Sequence, residues 1–248
     1  MKFIKKLFIN DTVRDFLMTI FSFIQTLLSK LPFGIVMTLR MWNLGRKRLV
    51  DIYNYPDYVR LASLELMAEH ITSKNIPGDV AELGVYQGQF ASYINQAFPN
   101  RKLYLFDTFE GFDKQEEESD KQNGFYKEHS NLNAFKKTSV ELVLKNMQHV
   151  KQCVVKKGYF PKTAEDMPQD ATFAFVSIDT DLHDPIFNGL SYFYPRMASG
   201  GVIFVHDYNC IGYSGVKPAV QEFLNKNKII GGFFPLCDAG GTAIIIKP

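Results

Sequence analysis

Cysteine is scarce in this chain. Its 248 residues include only three cysteines, Cys153, Cys210 and Cys237. The count is odd, the spacing is wide and no Cys-x-x-Cys pair occurs, which excludes a disulfide framework and a cysteine-based zinc site. We therefore expect reduced thiols in a cytoplasmic protein.

An excess of charge of either sign is also absent. Lysine and arginine number 28 and aspartate and glutamate 26, which leaves a net charge of +2. A protein whose main partner is nucleic acid carries a strongly basic surface, so the sequence predicts no nucleic-acid partner. With 46% hydrophobic and 22% charged residues, the composition is that of a folded chain, and the length suits one α/β domain with an appendage.

The sequence has no uncharged run long enough to cross a bilayer. The segment that comes nearest, residues 16–29, would reach about 21 Å as a helix, short of the roughly 30 Å hydrocarbon core. Basic residues flank it on both sides, and no small-residue cleavage site marks a signal peptide. A polar stripe runs along it at helical spacing, formed by Asp15, Thr19, Ser22, Thr26 and Ser29.

Two interpretations of this N-terminal segment stay open. An amphipathic helix with basic flanks can lie in a bilayer interface, or its apolar face can pack on its own domain or on a second subunit. We expect a helical arm over residues 1–50 that makes a peripheral membrane contact or a homo-oligomer contact, and a separate domain over residues 51–248. Pro32 and Gly34 are expected to end the helix.

Beyond residue 78 the sequence alternates between predicted strands and helices. The predicted strands cover residues 79–83, 102–107, 150–156, 172–179, 201–207, 230–236 and 242–247. The predicted helices include residues 91–97, 140–147, 185–194 and 217–225. This alternation indicates an α/β fold with a mostly parallel sheet covered on both faces. Only five residues separate the last two strands, too few for a helical crossover, so these strands should form an antiparallel hairpin.

The Gly-x-Gly-x-x-Gly turn of dinucleotide-binding folds is missing. After the first predicted strand the chain instead carries Gly84 and Gly88, preceded by Glu82. An acid at this position repels a phosphate but suits a ligand that carries an ammonium and a sulfonium, and S-adenosylmethionine has both. Asp107, at the end of the second strand, is expected to accept hydrogen bonds from the ribose hydroxyls. An ordinary strand-to-helix turn followed by a surface acid would give the same pattern.

Three acids and a histidine follow the fourth and fifth predicted strands. Asp179 and Asp181 come after one apolar run, and His206 and Asp207 come after the next. Since ligands bind at the carboxyl ends of parallel strands, these side chains should meet beside the glycine turn. Asp179, His206 and Asp207 form a candidate divalent-metal set, which leaves Asp181 as a base. Capping of the following helices by these same acids is the alternative.

A series of blocks between Pro77 and Phe223 resembles the macrocin O-methyltransferase (TylF) family. The matching blocks, in order, are residues 78–88, 106–112, 157–160, 178–182, 193–196, 200–203, 206–208 and 218–220. Enzymes of this family use S-adenosylmethionine to methylate sugar hydroxyls of natural products. The resemblance therefore implies the Rossmann-like sheet of the class I methyltransferases, with a C-terminal antiparallel hairpin.

The resemblance also implies a role for each matching position. It implies that Asp107 binds the ribose, that Asp179 and Asp207 hold a divalent metal, and that Asp181 is the catalytic base. Two departures from the family are His206, where an aspartate is usual, and His183, where a tyrosine is common. A nitrogen ligand at position 206 shifts the expected metal from Mg²⁺ towards Mn²⁺. The residues implied to bind the cofactor are Glu82, Gly84, Tyr86, Gly88, Asp107, Thr108, Gly158, Phe160 and Asp179.

These patterns together predict an S-adenosylmethionine-dependent O-methyltransferase. The expected acceptor is a hydroxyl of a sugar, a glycan or another glycoconjugate, and a divalent metal is expected to assist. A phenol or catechol methyltransferase and a non-catalytic S-adenosylmethionine-binding protein are the alternatives. Residues 116–120, rich in acids, are expected to form a solvated loop, placed where a mobile lid over the acceptor would lie.

Overall fold

The computed structural model describes residues 16, 19, 20, 22–24, 26, 27, 57–125 and 135–248. The chain divides into two compact units, Met1–Lys47 and Arg48–Pro248. In the first unit, the described residues are helical and exposed. Pro32 and Gly34, the expected end of this helix, lie outside the described residues, and the arm predicted over residues 1–50 stays a prediction.

The described part of the second unit alternates strands with helices, as the sequence predicts. Its strands are β1 (Asp79–Leu83), β2 (Leu103–Asp107), β3 (Cys153–Lys157), β4 (Phe173–Ile178), β5 (Met197–Val205), β6 (Phe233–Pro235) and β7 (Ala243–Ile246). Its α-helices are α1 (Tyr58–Ser73), α2 (Gln89–Ala97), α3 (Lys114–Gln122), α4 (Val140–Lys145), α5 (His183–Phe193) and α6 (Val216–Lys226).

The seven strands form one sheet in the order β3-β2-β1-β4-β5-β7-β6. Strands β1 to β5 pair in parallel, whereas β7 runs antiparallel to both of its neighbours, β5 and β6. The predicted α/β class and the C-terminal hairpin are therefore confirmed. The order reverses at β1, which lies between β2 and β4, and a crevice for a ligand forms at such a reversal.

Each face of the sheet carries its own hydrophobic core. Successive residues of a strand point to opposite faces, so Val80 packs in one core and the next residue, Ala81, in the other. Helices α1, α2 and α4 contribute to the first core, and α5 and α6 to the second. Because both faces are covered, the central strands are mostly apolar, and their buried polar residues, Glu82 and Ser177, lie near the carboxyl ends of β1 and β4.

Several predicted boundaries differ from the structure. Residues Val150–Gln152, predicted to begin a strand, form a 3₁₀ turn. Strand β5 begins at Met197, four residues before the predicted start, and ends at Val205, so that His206 and Asp207 lie beyond it. At the sheet edge, β6 spans three residues instead of the seven predicted.

Two helices are absent from the sequence-based prediction. Helix α1 begins after Asp57, whose carboxylate accepts a hydrogen bond from the backbone N–H of Arg60. The prediction of a solvated loop over residues 116–120 is wrong, because these residues lie in α3. Asp113 caps that helix by accepting from the N–H of Gln115, and Asp120, only 2% exposed, accepts from the N–H of His183 at the start of α5.

Candidate functional site

A cavity of about 300 Å³ opens at the carboxyl edge of the sheet. This volume is at the lower end of the range for small-molecule sites. Most of the predicted site residues line it, namely Glu82, Gly84, Tyr86, Asp107, Thr108, Gly158, Phe160, Asp179, Asp181, His206 and Asp207. The fold thus brings residues from five separate strand ends into one cavity, and their roles there stay predictions.

The two glycines of the predicted cofactor turn have different surroundings. Gly84 follows β1 with a φ of +85°, and a Cβ there would overlap the backbone carbonyl of Asp179. Only glycine permits this close approach of the first and fourth strand ends. Gly88 does not line the cavity. It lies at the start of α2, where a Cβ would come within 2.9 Å of Val143, so helix packing accounts for it.

Asp107 organises the backbone on both sides of the cavity. Its Oδ2 accepts hydrogen bonds from the N–H groups of Val85 and Tyr86, at 2.7 and 2.9 Å, and its Oδ1 accepts from Phe109 at 2.6 Å. A carboxylate offers roughly four acceptor positions, so about one remains for a ligand hydroxyl. Asp107 therefore shapes the turn, and one acceptor position stays open for the predicted contact with the ribose.

The remaining predicted cofactor residues form the walls. Tyr86 has a φ of +50°, a conformation unfavourable for a non-glycine residue, and its ring meets Phe135 edge-on at 5.2 Å. Phe160 is buried against the rings of the second core. The hydroxyl of Thr108 donates to the carbonyl of Gly111 at 2.6 Å, which closes the turn after β2.

Glu82 presents a buried acid to the part of the cavity where the cofactor is predicted to bind. The side chain is 1% exposed, and its Oε2 has no hydrogen-bond partner among the described residues. Burial raises the pKa of Glu82 well above its usual value, although the charge of Arg60 opposes this. A buried oxygen without a donor is costly, so a ligand ammonium fits here.

Asp179, His206 and Asp207, which we call the strand-tip cluster, bring three potential metal ligands together. One donor atom from each residue lies within 4.8 Å of the other two. The Nδ1 atom of His206 is 3.1 Å from Oδ1 of Asp179 and 3.0 Å from Oδ2 of Asp207. Two carboxylates and an imidazole suit Mn²⁺ or a later divalent ion, so the donor set fits the predicted metal.

The electrostatics of the cluster are those of an ion pair. Burial alone would raise the pKa of Asp179, but the charges of His206 and Arg60 hold it well below the usual range. Burial would lower the pKa of His206, yet the charge of Asp179 raises it to about 10. A metal-binding imidazole must be neutral, so binding of an ion through this nitrogen would release a proton.

Asp181 stands next to the cluster and has an unusual environment. It is 6% exposed and has a φ of +63°. Burial, followed by the charges of Asp179 and Asp207, raises the pKa of Asp181 well above its usual value. Asp207 also has a positive φ, +57°, and such strain is concentrated at functional sites.

Sequence reasoning missed several polar residues that line the cavity, among them Arg60 and Tyr213. Arg60 lies at helical spacing with the buried Leu64 and Ala68 of α1, and a charge on an apolar face was the signal that could have found it. Burial and the charge of Asp181 raise the pKa of Tyr213, which keeps its phenol protonated as a donor.

Comparison with known proteins identifies the family. The family model described as macrocin-O-methyltransferase (TylF) matches residues 56–241. The chain belongs to this family. The resemblance found in the sequence is therefore confirmed, and the chain is an S-adenosylmethionine-dependent O-methyltransferase with a class I methyltransferase fold.

Individual relatives are also O-methyltransferases. Over 196 residues the chain is 26% identical to demethyldecarbamoylnovobiocin O-methyltransferase of Streptomyces niveus, covering 74% of this chain and 72% of that protein. Over 194 residues it is 23% identical to 8-demethyl-8-(2,3-dimethoxy-alpha-L-rhamnosyl)-tetracenomycin-C 4'-O-methyltransferase of Streptomyces olivaceus, covering 75% and 71%. The solved structure of the O-methyltransferase NovP matches with a TM-score of 0.64 and 25% identity, covering 76% of this chain and 80% of NovP.

Proposed function

We propose that this enzyme methylates a hydroxyl of a sugar or glycoconjugate, with a divalent metal held by Asp179, His206 and Asp207 and with Asp181 as the base. The observation that carries the proposal is the position of Asp181. It is buried beside the strand-tip cluster, in the same cavity as the cofactor residues. The relative from Streptomyces olivaceus, whose name specifies a rhamnosyl compound, supports a sugar acceptor.

The difficulty of the reaction lies in the acceptor. A sugar hydroxyl ionises near the pKa of water, about 15.7, and an ordinary aspartate near 3.9, a gap worth roughly 16 kcal/mol. The raised pKa of Asp181 narrows this gap from the side of the base. A bound divalent ion would lower the remaining free-energy difference by stabilising the negative charge that develops on the acceptor oxygen.

The residues of the chain would then act in three ways. Asp181 accepts the acceptor proton as the oxygen bonds to the methyl carbon and the carbon–sulfur bond of the cofactor breaks. Tyr213, protonated in the same cavity, offers a hydrogen bond that can orient the acceptor. Glu82 and Asp107 hold the amino and ribose ends of the cofactor, so that the methyl group faces the cluster.

An acceptor panel tests this proposal. We expect incubation with S-adenosylmethionine, Mn²⁺ and a mixture of glycosides, nucleotide sugars and catechols to add one methyl group to a sugar, detected by mass spectrometry. Methylation of catechols alone would contradict the sugar acceptor. Cofactor binding without any S-adenosylhomocysteine would contradict all the acceptor classes in the panel. In excess chelator we expect no turnover, restored by Mn²⁺ at least as well as by Mg²⁺.

We further propose a contact for the N-terminal arm. Among the described residues, no helix is long and apolar enough to cross a membrane. Several apolar side chains of the arm are nevertheless exposed, including Phe16 at 64% and Phe23 at 65%, and basic residues flank the segment. This combination supports a peripheral contact with an anionic bilayer on the cytoplasmic side. A homo-oligomer contact is the competing outcome.

A further inference from the structure

Arg60 brings a permanent positive charge into the strand-tip cluster. It lies in α1, 119 positions from Asp179 along the chain, and its Nη2 is 3.0 Å from Oδ2 of Asp179. The same nitrogen is 3.4 Å from the hydroxyl of Ser177, and the guanidinium carbon lies 3.8 Å from the centre of the Phe90 ring. With 2% exposure, this group is held in place by its surroundings.

The contact divides the two oxygens of Asp179 between different partners. Oδ2 faces Arg60, whereas Oδ1 faces Nδ1 of His206. Only Oδ1 is therefore directed at the position where the donor atoms of the cluster converge. A divalent ion bound there would share one carboxylate with a guanidinium, and two cations at such short range repel each other.

The charge of Arg60 differs from that of His206 in one respect. An imidazole can give up its proton when a metal binds, whereas a guanidinium stays charged at any working pH. The repulsion from Arg60 therefore persists in the metal-bound state. Partial neutralisation of Asp179 by Arg60 weakens its attraction for a dication still further.

We propose that Arg60 is a positioning residue that limits Asp179 to one metal-facing oxygen and lowers the affinity of the strand-tip cluster for divalent ions. The inference rests on the metal cluster of the proposed function, but it does not depend on the identity of the acceptor. A lower affinity would make a bound metal more readily exchangeable.

The test is direct titration of the full-length protein with Mn²⁺, in which free Mn²⁺ is followed by electron paramagnetic resonance. Removal of the charge in Arg60→Met should tighten Mn²⁺ binding by about ten-fold or more. Arg60→Gln keeps a hydrogen-bond donor without the charge and should show the same gain, which covers the case in which the Met variant does not fold. Arg60→Lys keeps the charge and should bind Mn²⁺ within about two-fold of the parent.

Arg101 provides the matched control. Its guanidinium donates to the backbone carbonyls of Gly78 and Ile76, away from the cavity. Arg101→Met should lower the melting temperature without changing Mn²⁺ affinity. If the parent binds Mn²⁺ and Arg60→Met and Arg60→Gln bind it equally well or more weakly, the proposed role of Arg60 is wrong. That result would leave the metal cluster itself unaffected. Absence of Mn²⁺ binding in the parent and in all variants would overturn the metal cluster as well.

Discussion

At the scale of single residues, Asp107 has a structural role in addition to its predicted role in cofactor binding. Its carboxylate accepts three backbone hydrogen bonds, from the turn after β1 and the turn after β2. Because both turns line the cavity, this side chain shapes the part of the cavity where the cofactor is predicted to bind. Loss of the carboxylate should therefore lower the affinity for S-adenosylmethionine by more than the loss of one hydrogen bond to the ribose.

We expect Asp107→Ala to weaken S-adenosylmethionine binding by roughly 1.5–3 kcal/mol, since it removes hydrogen bonds to a charged group. Isothermal titration calorimetry measures this directly. Asp166→Ala serves as the control, because the Asp166 side chain is 73% exposed and pairs only with Lys156 among the ion pairs described. An affinity equal to that of the parent would remove Asp107 from the cofactor site.

Glu116 is a second residue with a measurable signature. Burial raises its pKa to about 7, with smaller contributions from Asp113 and Asp184, while a hydrogen bond with Tyr159 opposes the shift. A carboxyl with a raised folded-state pKa contributes stability that is complete below the unfolded value, near 4.5. That contribution falls as the pH rises and is lost through about pH 7.

Glu116→Gln should therefore melt at about the parent temperature at pH 5 but about 2–6 °C higher at pH 8, since the ionised form is the costly one. Thermal unfolding at the two pH values provides the comparison. Glu118→Gln, on the exposed side of the same helix, should show no pH-dependent difference. The same temperature difference at both pH values would argue against a buried, neutral Glu116.

At the scale of elements, the β6–β7 hairpin supports the strand-tip cluster. The backbone of Gly240 accepts a hydrogen bond from the N–H of Asn209, and Gly241 accepts one from Tyr208. A Cβ at Gly240 would overlap Oδ1 of Asp207 and lie 3.1 Å from Nε2 of His206. The hairpin turn therefore fits closely against two of the three predicted metal ligands.

Gly240→Ala should displace Asp207 and weaken Mn²⁺ binding by about 10- to 100-fold, as changes behind a metal ligand typically do. Gly231→Ala is a control from the segment before the same hairpin, because a Cβ there would meet nothing within 4 Å. Calorimetric titration with Mn²⁺ compares the two variants. Equal affinity in both would mean that the turn does not constrain the cluster.

The sequence predicted the strands and several site acids but not every helix. Apolar runs bounded by polar residues located all seven strands, and acids directly after those runs located Asp179, Asp181 and Asp207. Helix α1 escaped prediction because Arg60 and Glu65 interrupt its buried face. A charge on the apolar face of α1 could have marked Arg60 as unusual, but its contact with Asp179 joins positions 119 residues apart, and a local pattern gives no signal for that contact.

Helix α3 was not predicted from the sequence for a different reason. The helix contains no apolar residue, so no hydrophobic period could indicate it. Its stability comes from Asp113 at its start and from Asp120, which contacts the first N–H of α5. The first contact is a local cap and the second is a tertiary interaction. A run of acids in the sequence predicts a solvated loop equally well.

At the scale of the whole molecule, the parallel sheet explains why the site forms. Strands β1, β2, β3, β4 and β5 all end at one edge, and the residues that follow each of them line one cavity. Apolar side chains fill both faces of the sheet, so the polar groups required for chemistry collect at this edge. This arrangement of the sheet does not account for the role of the N-terminal arm.

If the arm lies on a membrane, the full-length protein should float with anionic liposomes at low salt. Flotation should be lost in the double variant that carries Phe16→Ser and Phe23→Ser. It should also be lost in a variant that lacks residues 1–50. Ile230→Ser is the matched control, because it removes an apolar side chain that is 97% exposed in the other unit. Parent protein that stays unbound but elutes as an oligomer would favour a contact between subunits.

The central claim is that Asp181, beside the strand-tip cluster, takes the proton from the acceptor hydroxyl. The most direct test is the rate of S-adenosylhomocysteine formation by the parent and by Asp181→Asn, with Mn²⁺ and the sugar acceptor found in the panel. We expect the rate to fall by about two to four orders of magnitude while Mn²⁺ and cofactor affinities stay unchanged, as for loss of a general base. A variant that retains a rate within a few-fold of the parent would contradict the account.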